Sequence, residues 1–275
     1  MYNHNKNNNE NKKIYLTHIP KTAGTSLEEI VYQAGHKKNK NYIIGIGYYK
    51  KFIKKNIYHH KNFLKEEYLK KFINYEDNGH WNMQFFHIPL SFWKDEILLR
   101  YKKEYHIFCV VRNPYDRYVS DFKFWIKFYN DTKKEKNLEI IFKNLLKHLE
   151  EIYENNFTLS EENLNKICYK LLSTKKYYYS LDGHLIPQYK YVYTKINNKL
   201  IKITDNILRF ENLENDFLKF KNKYLPLITN NAIKKTYIHK TDDIINKNLL
   251  NKVSRELIYK YYKNDFLIFK YKKEY

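Results

Sequence analysis

The chain has 275 residues, 43% of them hydrophobic, which suits one large domain with a buried core or two small ones. Its formal net charge of +21 attracts polyanions but does not choose among nucleic acid, acidic polysaccharide, anionic membrane and phosphorylated small molecules. The two cysteines, Cys109 and Cys168, allow at most one disulfide and show no metal-ligand spacing.

Residues 1–12 are polar and asparagine-rich, which predicts a disordered tail ahead of a single domain over residues 13–275. The tail lacks the apolar segment of a signal peptide. No window of the chain approaches the roughly 18 consecutive apolar residues of a membrane span. We therefore expect a soluble, cytoplasmic protein.

The first predicted core element is a β-prone apolar run over residues 14–19. A turn-forming loop follows, and an amphipathic stretch from Ser26 to about Ala34 predicts a helix. Residues 37–78 are lysine-rich without a clear period, and we predict that they are helical or irregular.

Two further apolar runs, at residues 106–111 and 206–210, predict buried core strands. Asn113 and Pro114 are residue types that cap and begin a helix. Helical spacing predicts three more helices, at residues 138–152, from a cap at Thr158 or Ser160 through Leu172, and from about 243 to 262, ending before Asp265. The pattern predicts one α/β domain, a central parallel sheet flanked by helices with helical insertions.

The loop after the first strand is Pro20-Lys21-Thr22-Ala23-Gly24-Thr25-Ser26. Free N–H groups at a helix start attract anions, Gly24 permits close backbone approach, and Lys21 can neutralise charge. Composition leaves two interpretations open, a phosphate or sulfate cradle and an ordinary capped turn. A Walker A loop is excluded, because that loop needs two glycines ahead of its lysine.

The string from His18 to Leu27 resembles the 5′-phosphosulfate loop of carbohydrate sulfotransferases that use 3′-phosphoadenosine-5′-phosphosulfate (PAPS). The resemblance is closest to the branch that contains the heparan sulfate 2-O-sulfotransferases. It implies a P-loop-like fold and a role for Lys21 in steadying the leaving group. It also implies that the phosphosulfate is bound by Thr22, Ala23, Gly24, Thr25 and Ser26.

A second motif follows the second predicted strand and runs from Val110 to Ser120. Arg112, at the strand end, has the planar fork that binds phosphate bidentately. The string resembles the family's 3′-phosphate motif, which implies that Arg112 and Ser120 grip the 3′-phosphate that distinguishes PAPS from ATP. Arg117 is expected instead to pair with Asp121, four residues further along the helix.

Transfer to a hydroxyl needs a base, and histidine is suited to this near neutral pH. A histidine beside aromatic residues is more often structural than catalytic. However, the segment Phe86-His87-Ile88-Pro89-Leu90 looks like the one that carries the base in the 2-O-sulfotransferase branch. The resemblance therefore implies that His87 is the base, with His80 in reserve.

The resemblance implies PAPS as co-substrate, its product adenosine 3′,5′-bisphosphate (PAP), a carbohydrate acceptor and no metal requirement. An anionic glycan would suit the basic surface, and no specific nucleic-acid partner is expected. Weaker strings at residues 184–188, 208–213 and 239–241 also resemble the family. The last could place a lysine near the nucleotide or, like the other two, maintain the fold, and we favour the role in the fold for Glu211.

Two alternatives from other classes remain. A nucleotide kinase predicts ATP binding and magnesium dependence. A polyanion-binding protein on an inactive sulfotransferase scaffold predicts steeply salt-dependent binding of nucleic acid with no need for Lys21 or His87.

Overall fold

The computed structural model describes residues 12–35, 63–68, 87–135, 140–226 and 244–275. Residues 1–11 of the predicted N-terminal tail, His80 and the string at residues 239–241 lie outside these residues, as does most of the lysine-rich segment at 37–78.

A three-stranded parallel sheet forms the centre of the fold, in the order β1 (Lys13–Leu16), β2 (Tyr105–Val111), β5 (Asn206–Arg209). Leu16 is paired with Phe108, which is paired with Asn206 on the other side. The three predicted core strands are therefore confirmed. The first and last are shorter than predicted, because Thr17 leaves the ladder after one further bond to Phe108 and Phe210 begins a 3-10 turn.

Nine α-helices are described: α1 (Gly24–Gly35), α2 (Asp95–Glu104), α3 (Pro114–Thr132), α4 (Ile140–Tyr153), α5 (Glu161–Leu172), α6 (Tyr189–Val192), α7 (Leu213–Tyr224), α8 (Lys252–Tyr261) and α9 (Lys263–Phe269). Short 3-10 turns occur at Leu90–Phe92, Leu181–Gly183, Phe210–Asn212 and Lys247–Leu249. Strands β3 (Tyr193–Ile196) and β4 (Lys199–Lys202) form an antiparallel hairpin that sequence patterns did not indicate.

Both faces of the sheet are covered, as the apolar run of β2 predicted. Ile107, Cys109 and Val111 belong to one buried cluster, with residues of α2 and α6. Phe108 and Val110 point the other way, because side chains alternate along a strand, and pack with residues of α1 and α7. A separate buried cluster joins α3, α4, α5 and α8, and α4 and α5 of this helical layer are inserted between β2 and β5.

Side-chain caps set the helix starts. Asn113 accepts a hydrogen bond from the N–H of Tyr115 at 2.9 Å, which confirms the predicted cap of α3. Ser160, not Thr158, caps α5 by accepting from the N–H of Asn163 at 3.2 Å.

The prediction of one long helix from about residue 243 to 262 is wrong. Asn251 caps α8 by accepting from the N–H of Ser254, so the helix begins only at Lys252. A 3-10 turn capped by Asn246 precedes it. Asparagine side chains compete with the helical backbone for its hydrogen bonds, and here they divide the segment. Asp265, expected beyond the last helix, lies inside α9.

No helix among the described residues is long and apolar enough to cross a bilayer. Cys109 and Cys168 are both buried, unbridged thiols, and burial raises the pKa of each to about 12. Neither is therefore suited to thiolate chemistry.

Candidate active site

The two strand-to-helix corners predicted from sequence lie side by side. Strands β1 and β2 are parallel neighbours, so their carboxyl ends share one edge of the sheet. Arg112, just after β2, donates from Nη1 to the carbonyl oxygen of Lys21 at 3.2 Å. Arg117 on α3 donates from Nε to the carbonyl oxygen of Pro20 at 3.1 Å. The second corner therefore holds the backbone of the first.

The first loop has the backbone geometry of an anion cradle. Lys21 and Ala23 have φ of 66° and 71°, whereas Thr22 and Gly24 do not have positive φ. Alternation of right-handed and left-handed residues forms backbone nests that bind anions, so the signs of φ in this loop suit an anion site. The Thr22 hydroxyl donates to the carbonyl oxygen of Ile19 at 2.8 Å and closes the loop from within. Left-handed residues other than glycine each cost about 1–3 kcal/mol and cluster at functional sites.

Gly24 is needed for packing rather than for its dihedral angles. A Cβ atom at this position would lie 2.5 Å from the imidazole ring of His18. That ring is itself fixed, because its Nδ1 is 2.8 Å from Oε1 of the buried Glu28 on α1. His18, at the end of the first strand, therefore supports the loop from beneath.

Lys21 is held by an aromatic ring. Its Nζ lies 4.1 Å from the centroid of Phe124 on α3. Burial lowers the pKa of Lys21 to about 8, and Arg112 and Lys123 contribute in the same direction against the opposing charge of Asp121. Lys21 makes no ion pair within the described part of the chain, so its charge is available to an anionic ligand.

Arg112 is firmly positioned at the backbone. Its N–H donates to Oε1 of Gln188, and Nε2 of Gln188 donates back to its carbonyl oxygen, both at 2.8 Å. Its guanidinium lies 4.0 Å from the ring centroid of Phe210. Burial lowers the pKa of Arg112, although Asp116 and Glu211 oppose the effect. Its Nε is buried with no hydrogen-bond partner among the described residues, an orphaned donor that fits an anion site.

The remaining predicted binding residues lie at the same edge. Thr25 is exposed and Ser26 half-buried in the first turn of α1. Ser120 is half-buried on α3, and residues three and four apart share a helix face. Ser120 therefore lies on the same face of α3 as Arg117 and Phe124, the two residues that contact the first loop.

The predicted base, His87, is buried beside this loop. Its ring centroid is 4.9 Å from that of His18, the histidine that packs on Gly24. Its Nδ1 is 2.7 Å from Oδ2 of Asp182. Burial lowers the pKa of His87 to about 4, with smaller contributions in the same direction from His18 and His184, and Asp182 opposes the change.

Three buried histidine–carboxylate pairs converge here, and sequence patterns identified none of them as pairs. They are His18 with Glu28, His87 with Asp182, and His184 with Asp121, the last at 2.5 Å. The rings of His87 and His184 are 5.2 Å apart. Donor atoms of His87, Asp182 and His184 lie within 4.8 Å of one another, close enough to hold a metal ion. The one signal in the sequence was the dipeptide Asp182-Gly183, but His87, the partner of Asp182, is remote from it in sequence.

The expected pair of Arg117 with Asp121 does not form. Arg117 donates to the carbonyl oxygens of Pro20 and His184, and Asp121 contacts the imidazole of His184. Tertiary contacts outcompete the local pair because all these groups are buried. Glu211 accepts from the N–H of Asn113 at 2.6 Å, consistent with the structural role favoured for it.

The fold is that of an α/β protein with a parallel sheet covered on both faces, and a loop and an arginine at adjoining strand ends are an arrangement typical of sites that hold phosphorylated ligands. The model of the sulfotransferase family matches residues 6–272, nearly the whole chain, and the chain therefore belongs to the sulfotransferase family. No curated protein and no solved structure matches it.

Proposed function

We propose that this chain transfers the sulfuryl group of PAPS to a hydroxyl of a carbohydrate acceptor. Membership of the sulfotransferase family supports sulfuryl transfer as the general reaction. The observation that carries the proposal is the direct contact of the two corners, with Arg112 Nη1 donating to the carbonyl oxygen of Lys21 at 3.2 Å. One adenosine with phosphates on both the 3′ and the 5′ oxygens of its ribose would reach both corners.

The proposed reaction is a single in-line displacement at sulfur. The acceptor oxygen forms a bond to sulfur as the bond from sulfur to the 5′-phosphate oxygen breaks. His87 takes the proton of the acceptor hydroxyl, and Lys21 stabilises the negative charge that grows on the leaving 5′-phosphate. Arg112 and Ser120 hold the 3′-phosphate, which keeps the nucleotide in register.

The likeness to the heparan sulfate 2-O-sulfotransferase branch rests on the loop and on the segment around His87. It supports a sugar acceptor, and the net charge of +21 suits an anionic one. The proposed reaction uses no metal ion, so dialysis against EDTA leaves the rate of transfer unchanged.

Calorimetry with PAP, PAPS and ATP tests the nucleotide site. We expect PAP to bind at micromolar concentration, ATP to bind much more weakly, and Arg112→Ala to lose PAP binding. Arg100→Ala is the matched control, because Arg100 is exposed on α2, which leads into the amino end of β2. Equal affinity for ATP and PAP would contradict the 3′-phosphate assignment.

Transfer of radiolabelled sulfate to a panel of glycans then tests the reaction. We expect transfer to at least one sugar polymer, abolished in His87→Gln with PAP affinity retained. Transfer to tyrosine peptides alone, with none to glycans, would overturn the proposed acceptor class.

A further inference from the structure

The turn that precedes the short helix α6 has an unusual backbone. Leu181, Asp182 and Gly183 have φ of 53°, 54° and 74°, so three consecutive residues are left-handed. The left-handed region costs about 1–2 kcal/mol for each residue with a side chain. Glycine avoids that cost at one of the three positions only. Such a conformation persists only where the surrounding structure imposes it, and strained turns of this kind cluster at functional sites.

Buried contacts impose the turn. The side chain of Leu181 is fully buried in the core of the helical layer. The hydroxyl of Ser180 donates to the carbonyl oxygen of Tyr177 at 2.7 Å. The hydroxyl of Tyr191 donates to the carbonyl oxygen of His87 at 2.8 Å. The same hydroxyl lies 3.5 Å from the carbonyl oxygen of Gly183. One phenol therefore holds the backbones of the turn and of His87 in a fixed relation.

The consequence is a short contact between two buried side chains. Oδ2 of Asp182 lies 2.7 Å from Nδ1 of His87, and both residues are less than a tenth exposed. A carboxylate can only accept a hydrogen bond, so the proton of a neutral His87 is on Nδ1. The lone pair of the neutral ring is then on Nε2. Among the described residues, the imidazoles of His18 and His184 also lie against His87.

We propose that Asp182 is a positioning residue, presented by the left-handed turn, that fixes the tautomer and orientation of His87 so that Nε2 can accept the acceptor's proton. This inference rests on the proposed function, in which His87 is the base. Asp182 takes no proton itself. The proton passes from the acceptor hydroxyl to Nε2, and the Asp182 carboxylate stabilises the imidazolium that results.

Turnover of Asp182→Asn is the first test. An asparagine amide can donate to Nδ1 and so favour the tautomer with the proton on Nε2, which cannot act as a base. We expect kcat to fall roughly 10²-fold or more, with KM for PAPS and acceptor and the affinity for PAP within about twofold of wild type. Asp205→Asn is the control, because Asp205 is exposed and accepts from the backbone N–H of Ile107.

Nitrogen-15 NMR of the histidine rings gives a readout independent of turnover. Wild-type His87, assigned by comparison with His87→Gln, is expected to carry its proton on Nδ1, and Asp182→Asn to carry it on Nε2. A wild-type ring with its proton on Nε2 overturns the inference, even if Asp182→Asn fails to fold.

The two proposals fail in distinguishable ways. Wild-type kcat in Asp182→Asn together with an inactive His87→Gln overturns the role of Asp182 and leaves the proposed base in place. Wild-type kcat in His87→Gln overturns the proposed base, and with it the role of Asp182. A fall in PAP affinity equal to the fall in kcat in Asp182→Asn shows a merely structural role and also overturns the inference.

Discussion

Two side chains of the proposed site need different charge states. His87 must be neutral to accept a proton, whereas Lys21 must be charged to stabilise the leaving phosphate. Burial lowers the pKa of both, to about 4 for His87 and about 8 for Lys21. Burial therefore suits both residues. The ordinary pKa of an imidazole is near neutral pH, so lowering it leaves His87 neutral, whereas the ordinary pKa of an ammonium is far above neutral pH, so Lys21 stays charged after the same kind of shift.

A bell-shaped pH profile follows. The kcat/KM for PAPS should rise as pH increases through about 4, where His87 loses its proton. It should fall as pH increases through about 8, where Lys21 loses its charge. Initial rates across this range check both limbs.

Lys21→Arg provides the control for the alkaline limb. A guanidinium keeps its charge to high pH, so the residual activity of this variant should not fall near pH 8. An alkaline limb that stays unchanged in Lys21→Arg would show that another group controls it.

At the scale of elements, the C-terminal helix α9 supports the end of β2. Asp265 in α9 accepts from the N–H groups of Gln188 and Tyr189, both at 2.8 Å. Gln188 in turn pairs with both backbone groups of Arg112. Three segments far apart in sequence thus meet in one buried chain of hydrogen bonds that sets the position of the arginine.

Asp265→Asn tests this chain of contacts. An amide has only one accepting oxygen, so one buried N–H loses its partner and the free energy of unfolding should fall by about 1–3 kcal/mol. PAP affinity should fall as well, because Arg112 is no longer held. Urea unfolding and calorimetry measure the two effects, with the exposed Asp131→Asn as control. Unchanged stability and PAP affinity would contradict the supporting role.

Asp265→Asn should also change how the free energy of unfolding depends on pH. Burial raises the pKa of Asp265 to about 6, so the folded state holds this proton more tightly than the unfolded state. The stability that results is fully present below the ordinary pKa of about 3.8 and is lost as pH rises through about 6. Asp265→Asn should lack this component.

For the whole molecule, the basic charge and the proposed site are separable. The charge of +21 comes from 51 lysines and arginines over the entire sequence, against 30 acidic residues. Lys21 and Arg112, in contrast, lie at one edge of the sheet between its two covering layers. Binding of polyanions by the surface therefore does not require the residues that perform transfer.

Heparin, used as a probe polyanion, tests this separation. Lys21→Ala lowers the formal charge only from +21 to +20, one of 51 basic residues being removed. Heparin affinity should stay within about twofold and should fall steeply with salt in both proteins, whereas sulfuryl transfer should be lost in the variant. Lys21→Ala that keeps transfer would contradict the role proposed for Lys21, whereas heparin binding by a wild-type protein without any transfer would favour the alternative of an inactive scaffold.

Local patterns in the sequence determined the three core strands, the cap at Asn113 and the two corner motifs, and narrowed the cap of α5 to Thr158 or Ser160, because each depends on residues within a few positions of one another. The prediction of one long C-terminal helix was wrong because the side chain of Asn251 accepts a hydrogen bond from a backbone N–H and so starts a new helix. The spacing of apolar residues gives no indication of this.

Only the tertiary structure decided the partners of the site residues. His87 and Asp182 are 95 positions apart, and Arg112 and Gln188 are 76 apart. Such pairs arise when packed layers bring strand ends and turns together, and a one-dimensional pattern carries no record of which buried polar groups will meet. The left-handed turn at Asp182 has the same origin, since its surroundings and not its own residues impose it.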